Sequence, residues 1–260
     1  MTVMRAANRF QMLKTGSLWF ALVLPVFSAD PALVVDRGLP RGNVNDGAGA
    51  YRSNIRWSAY DSGFLGDDFA VGAPGEHWII DKIRVWTVPG AVEIDPSHLG
   101  DFYKDVRLYF GGPEDGVTPV VTSLLTPSSN ETSDPRILIS DAAAAGVAPY
   151  EGIGAYLRIW QIDFTDLKLT VQGGVKYRFA AWGLGRPKPD SEGKTYPWFN
   201  LASNAQFAAT TQDGADEAML LFASGGKFMA PFSGKGAGWD KGADINVQVF
   251  AHRLSPATRR

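Results

Sequence analysis

The sequence predicts an all-β protein, an antiparallel two-sheet β-sandwich of jelly-roll type with one short helical turn. Three observations carry that expectation. Apolar and polar residues alternate with period two in run after run, as in Val106, Leu108 and Phe110 or in Ile245, Val247, Val249 and Ala251. Glycine and proline, 29 and 16 in 260 residues, punctuate the runs at short spacing. The strand–helix–strand rhythm that builds a parallel sheet is not legible. About ten strands with one brief helix then require two facing layers.

The clearest stretch is 167–182. Leu167, Leu169 and Val171 alternate with Lys168, Thr170 and Gln172. After Gly173 and Gly174, the residues Val175, Tyr177 and Phe179 alternate with Lys176 and Arg178. Alternation on both sides of a glycine pair is a β-hairpin signal. A two-residue loop would set Val171 opposite Lys176 and mix the faces. A three-residue loop, Gln172 to Gly174, pairs Val171 with Val175, Leu169 with Tyr177 and Leu167 with Phe179. The expectation is that loop, with Gly174 in the left-handed region. A hairpin with one apolar face needs another sheet to cover it.

In chain order, residues 1–28 read as a secretory signal peptide. Arg5, Arg9 and Lys14 make a basic start, 17–27 is apolar after Ser17, and Val26 and Ser28 suit cleavage before Ala29. The apolar run is short for a bilayer span, so no transmembrane segment is expected after cleavage. The rest, 29–260, reads as one sandwich domain, secreted or periplasmic, and a bacterial exported protein is the simplest fit. Its first part, 29–50, is an irregular lead-in with Leu33, Val34 and Val35 as an edge strand.

Strands are expected over 54–60, 66–71, 77–88, 105–110 and 119–125. Within 77–88 the apolar parity flips, Trp78 and Ile80 against Ile83 and Val85, so a bulge or a break in pairing belongs at Asp81 and Lys82. A polar loop spans 126–135. Asp141, four alanines and Gly146 read as a capped helical turn. Residues 156–164 are bulky on both parities, as in a central strand. A basic, proline-containing loop covers 185–193. Weaker strands lie at 196–207, 218–222 and 227–232, and a glycine-rich loop surrounds Trp239. The last strand, 244–252, turns Ile245, Val247, Val249 and Ala251 inward.

Composition narrows the function. The formal net charge is −2, so no global field draws the chain to nucleic acid or an anionic membrane. Cysteine is absent, which excludes disulfides, thiolate metal sites and cysteine nucleophiles. There is no nucleophile elbow, phosphate loop, dinucleotide fingerprint or zinc-binding His-Glu-x-x-His.

A resemblance adds to this reading. Gly66-Asp67-Asp68-Phe69 before Trp78-Ile79-Ile80-Asp81-Lys82-Ile83-Arg84-Val85 resembles the opening strands of secreted bacterial jelly-roll domains of the PEP-CTERM or choice-of-anchor type. Gly174-Val175-Lys176-Tyr177, Trp239-Asp240 and 244–250 resemble the later strands. The likeness rests on strand patterns. It implies a surface or matrix protein similar in architecture to carbohydrate-binding modules. The sorting tail of that family is absent from Ser255-Pro256-Ala257-Thr258-Arg259-Arg260, so free secretion or assembly with a partner is expected rather than anchorage.

Among candidate sites, tryptophan stands out. Trp86, Trp160, Trp182, Trp198 and Trp239, with Trp57, are too many for all to be core. Trp86 falls on the parity of Lys82 and Arg84, and Trp182 on that of Lys176 and Arg178. Exposed tryptophans can stack on sugar rings or mark a protein interface. Asp67 and Asp68, with Asp240 and Asp244, are candidate ligands for a structural calcium ion, since carboxylates in glycine-flanked turns suit that ion. Aspartate also simply favours turns. His77, His98 and His252 are scattered. Glu93, Glu151, Asp163 and Glu217 are acids without a local signature. Asn130-Glu131-Thr132 fits a glycosylation acceptor. The expected function is non-catalytic: binding or structural work at the cell surface, in the periplasm or in the matrix. A carbohydrate-binding module, an accessory subunit of a larger assembly and a glycoside hydrolase are the alternatives.

Overall fold

The computed structural model describes residues 30–37, 53–58, 63–89, 98–145, 150–152, 155–189, 192–203, 218–232 and 244–255. The signal peptide, Trp239 and Asp240 lie outside them, as do Glu93 and Glu217. The chain is an all-β antiparallel sandwich of two sheets packed face to face.

The first half of the chain supplies β1 (Ala32–Asp36), β2 (Ser53–Ser58), β3 (Gly63–Ala70), β4 (His77–Pro89), β5 (Asp105–Gly111), β6 (Thr118–Leu124) and β7 (Ile137–Asp141). Next come β8 (Tyr150–Gly152), β9 (Ala155–Leu157), β10 (Trp160–Phe164), β11 (Leu169–Gln172) and β12 (Lys176–Trp182). The chain continues through β13 (Trp198–Ser203), β14 (Met219–Ala223), β15 (Phe228–Phe232), β16 (Asp244–Ile245) and β17 (Val247–Arg253). The larger sheet runs β1-β17-β4-β10-β7, with β11, β13, β16 and β2 attached. The smaller runs β15-β14-β3-β12-β5-β6. The chain crosses between the layers repeatedly, as from β3 to β4, β4 to β5, β6 to β7, β11 to β12, β12 to β13 and β13 to β14, while β8 and β9 pair only with each other.

The core lies between the sheets. Ile83, Val85, Ile162, Phe164, Val247 and Val249 from the larger sheet meet Phe69, Val106, Leu108 and Phe179 from the smaller, all at 1% exposure or less. The parity flip in β4 is a bulge: Phe250 pairs with Lys82 and Ala251 with Ile80, so Asp81 has no opposite residue. Pairing also changes hands there, with β11 covering 77–80 and β10 covering 83–87. Short β10 is buried along its whole length between β4 and β7, the central strand its bulky residues imply. The helical turn is a 3-10 turn at Ala142–Ala145, and the Asp141 carboxylate accepts from the Ala143 N–H at 2.9 Å. Strand β7 was not expected; it holds only five residues between a polar loop and that turn.

The hairpin at 167–182 is corrected by the structure. Strand β11 pairs with β4 in the larger sheet, Val171 opposite Trp78, whereas β12 pairs with β3 and β5 in the smaller. The turn is an arch between layers rather than a hairpin within one. Gly174 does take positive φ, +73°, and its N–H donates to Val71 O at 2.9 Å. Both arrangements give each strand one apolar face. In the arch those faces look at each other across the core instead of lying side by side.

Candidate ligand-binding cleft

The smaller sheet carries aromatic residues on its outer face as well. Phe64 lies 4.6 Å from Tyr109, 5.7 Å from Phe222 and 6.0 Å from Trp182, centroid to centroid, with only 17° between the Phe64 and Trp182 planes. Offset stacking at such distances is favourable beyond simple burial. Most of this band is covered, since Phe64, Tyr109 and Phe222 are buried. Trp182, at the end of β12, is half-buried. Its far neighbour is Arg107, whose guanidinium carbon sits 5.1 Å from the ring, and Asp105 holds that guanidinium at 2.6 Å.

Beyond Trp182 the chain makes a narrow two-stranded loop. Gly185 bridges to Tyr103, and Pro187 bridges to Thr195. The Leu184 N–H donates to the Asp105 carboxylate at 3.0 Å, and the Arg186 guanidinium donates to Gly100 O and Leu125 O. These bonds tie the loop base to the sheet. Between the loop and the start of β3 opens a cleft of about 650 Å³, lined by Phe64, Trp182, Leu184, Lys188, Lys194 and Tyr196 among others. That volume falls within the range of small-molecule sites. Among the described residues no carboxylate lines it.

The other tryptophans are corrected in exposure. Trp86 does point to the outer side of its sheet, opposite Gln161, but it is 0% exposed. A second apolar cluster, with Val88, Ala142, Ile159 and Leu201, encloses it. Trp160 and Trp198 belong to the main core. Trp198 donates its indole N–H to Asn200 at 2.9 Å and packs on Tyr103 at 4.8 Å. Of the five candidates, Trp182 alone among the described residues reaches a cleft.

Asp67 and Asp244 come together, as the calcium expectation required, but around a guanidinium. Arg37 Nη1 lies 3.0 Å from Asp67 Oδ2 and 3.6 Å from Asp244 Oδ1, and all three side chains are at 3% exposure or below. Asp67 also accepts from the Ile245 N–H at 2.6 Å and the Asp68 N–H at 2.8 Å. Burial pushes the Asp67 carboxyl well above the usual range; Arg37 pulls it down, and the Asp244 charge adds to the rise. Asp68 turns to Lys176 at 3.4 Å. Among the described residues no group of three or more His, Asp or Glu side chains is placed to hold a metal ion.

Four of the remaining candidates, His252, His98, Asp163 and Asn130, have structural partners. His252 bonds Asp81 at 2.7 Å and His98 lies 3.7 Å from Asp101. Asp163 grips Arg84 with both oxygens, at 2.6 and 2.7 Å. The Asn130 side-chain oxygen accepts from the Leu99 N–H at 2.8 Å. Arg37, Lys188 and Lys194 were missed as site residues. The basic character of 185–193 hinted at Lys188, and Lys194 lies just past that stretch.

Comparison of the chain with protein-family models, with curated proteins and with solved structures found no match in any of the three. Among the described residues no helix is long and apolar enough to cross a membrane.

Proposed function

We propose that this chain is an exported, non-catalytic binding protein of the cell surface, periplasm or extracellular matrix, and that it binds saccharides in the cleft beside Trp182. The observation that carries the reading is the coincidence of a half-buried indole, a cleft of about 650 Å³ and a loop bonded firmly to the sheet. An aromatic face offers apolar stacking to a sugar ring, and the surrounding Thr195 and lysines offer hydrogen bonds to hydroxyls. The test is co-sedimentation of the mature protein with a panel of insoluble polysaccharides. Retention that Trp182→Ala abolishes while the melting temperature holds supports the reading. Equal retention of wild type and variant removes it.

One observation favours a second reading, the accessory subunit. Leu33, Leu124, Leu138 and Met229 are between 44% and 65% exposed, and they sit on β1, β6, β7 and β15, the end strands of the two sheet orders. Exposed apolar residues on strand edges favour association with other chains. Under that reading the purified protein elutes as an oligomer, and charged substitutions at these four positions make it monomeric.

A further inference from the structure

The cleft carries a charge pattern that ordinary sugar binding does not require. Lys188 and Lys194 are directly opposed: the Lys188 N–H donates to Lys194 O at 2.9 Å, one step from the Pro187–Thr195 bridge. Both line the same cleft. Among the described residues neither has a carboxylate within ion-pair distance. Glu192 lies in the same loop and is exposed, but it is not part of the cleft wall. Arg186, in the same loop, donates its guanidinium to Gly100 O and Leu125 O, and Arg107 beside Trp182 is paired with Asp105. Lys188 Nζ leans over the Tyr196 ring at 5.5 Å, which offers it only weak compensation.

Like charges directly opposite on paired strands destabilise the ladder. Two lysines opposed on the wall of an aromatic-lined cleft therefore suit an anion. From this we infer that the ligand is an acidic saccharide, one sugar carboxylate lying between Lys188 and Lys194 while an adjacent ring stacks on Trp182. The inference rests on the saccharide reading and narrows it to uronate-containing chains. Binding of this kind weakens with salt, because each ammonium loses screening ions when the carboxylate arrives.

Calorimetric titration tests it, with trisaccharides of galacturonate, glucuronate and mannuronate, their neutral counterparts, and acetate alone. At least one uronate is expected to bind tenfold or more tighter than its neutral counterpart, with the difference shrinking at high salt. Lys188→Gln/Lys194→Gln is expected to reduce that uronate to the level of its neutral counterpart without lowering the melting temperature. Neutral chains binding as tightly as acidic ones, with loss in Trp182→Phe, overturn the acidic preference and leave the saccharide reading intact. Acetate binding as well as a uronate overturns the preference too, because the ring then contributes nothing. No binding by any saccharide overturns both.

Discussion

Replacing Arg37 by methionine keeps the length of the side chain but removes the guanidinium set between Asp67 and Asp244, which are buried at 0% and 2% exposure. The backbone bonds of the segment survive, since Arg37 N–H still donates to Val247 O and Asn246 still donates to Arg37 O. The variant therefore isolates the charge. A buried carboxylate deprived of its partner takes up a proton instead. Protonating an ordinary aspartate costs about 4 kcal/mol at pH 7 and about 1.5 kcal/mol at pH 5. Those figures are upper limits per carboxylate, because burial already holds Asp67 above its ordinary value in wild type, and breaking buried pairs typically costs about 3–5 kcal/mol. Urea unfolding of wild type and Arg37→Met at both pH values is the assay. At pH 7 the variant is expected to lose about 3–5 kcal/mol, or roughly 6–20 °C in melting temperature. At pH 5 the loss is expected to fall by half or more, and adding Asp67→Asn is expected to restore part of it at pH 7. A loss below about 1 kcal/mol, or one equal at the two pH values, refutes the reasoning.

Other substitutions probe other parts of the fold. In wild type, the raised Asp67 value means that its contribution to stability is complete below the ordinary aspartate range and is lost as pH rises through the folded value; Asp67→Asn is expected to flatten that limb of the stability–pH curve. Glu76 has the opposite sign: the Ala73 N–H, and then the Trp78 indole N–H, hold its carboxyl below the usual value. Its contribution is present above the ordinary glutamate range and is lost as pH falls through the folded value, so Glu76→Gln is expected to be less sensitive to acid, read by thermal melts from neutral to pH 3. Gly66→Ala places a Cβ 2.2 Å from Phe179 O and 2.8 Å from the Ala180 Cβ, an overpacking worth about 1–3 kcal/mol in denaturant unfolding. The cysteine-free chain also allows a test of the arch. Thr170→Cys with Ile79→Cys, opposite each other on β11 and β4, is expected to form a disulfide under mild oxidation. Thr170→Cys with Lys176→Cys, neighbours only in a hairpin, is expected not to.

The legible part of this sequence was which face each strand turns inward. Alternation reports half-burial directly, so Val247, Val249, Phe69 and Phe179 were readable as core and Trp182 as outward-facing. Alternation does not report the partner. The same pattern at 167–182 suits a hairpin or an arch, and what decides between them is long-range pairing with β4, β3 and β5. Trp86 fails for a related reason: its parity is outward, yet a second apolar cluster closes over that side of the sheet. Arg37 lies in a stretch without periodicity, so nothing local marks it as the counter-charge of Asp67 and Asp244. Lys188 and Lys194 show as basic residues in a loop, but their opposition across the loop follows from its hydrogen bonding.

The cleft beside Trp182 is tested most directly by nuclear magnetic resonance of the indole N–H groups during titration with the saccharide panel. Trp86, Trp160 and Trp198 are sealed at 1% exposure or less and serve as internal controls. The account requires the Trp182 signal to move saturably while those three stay still. Saturable movement at the buried tryptophans with Trp182 unchanged, or no movement with any saccharide, contradicts it.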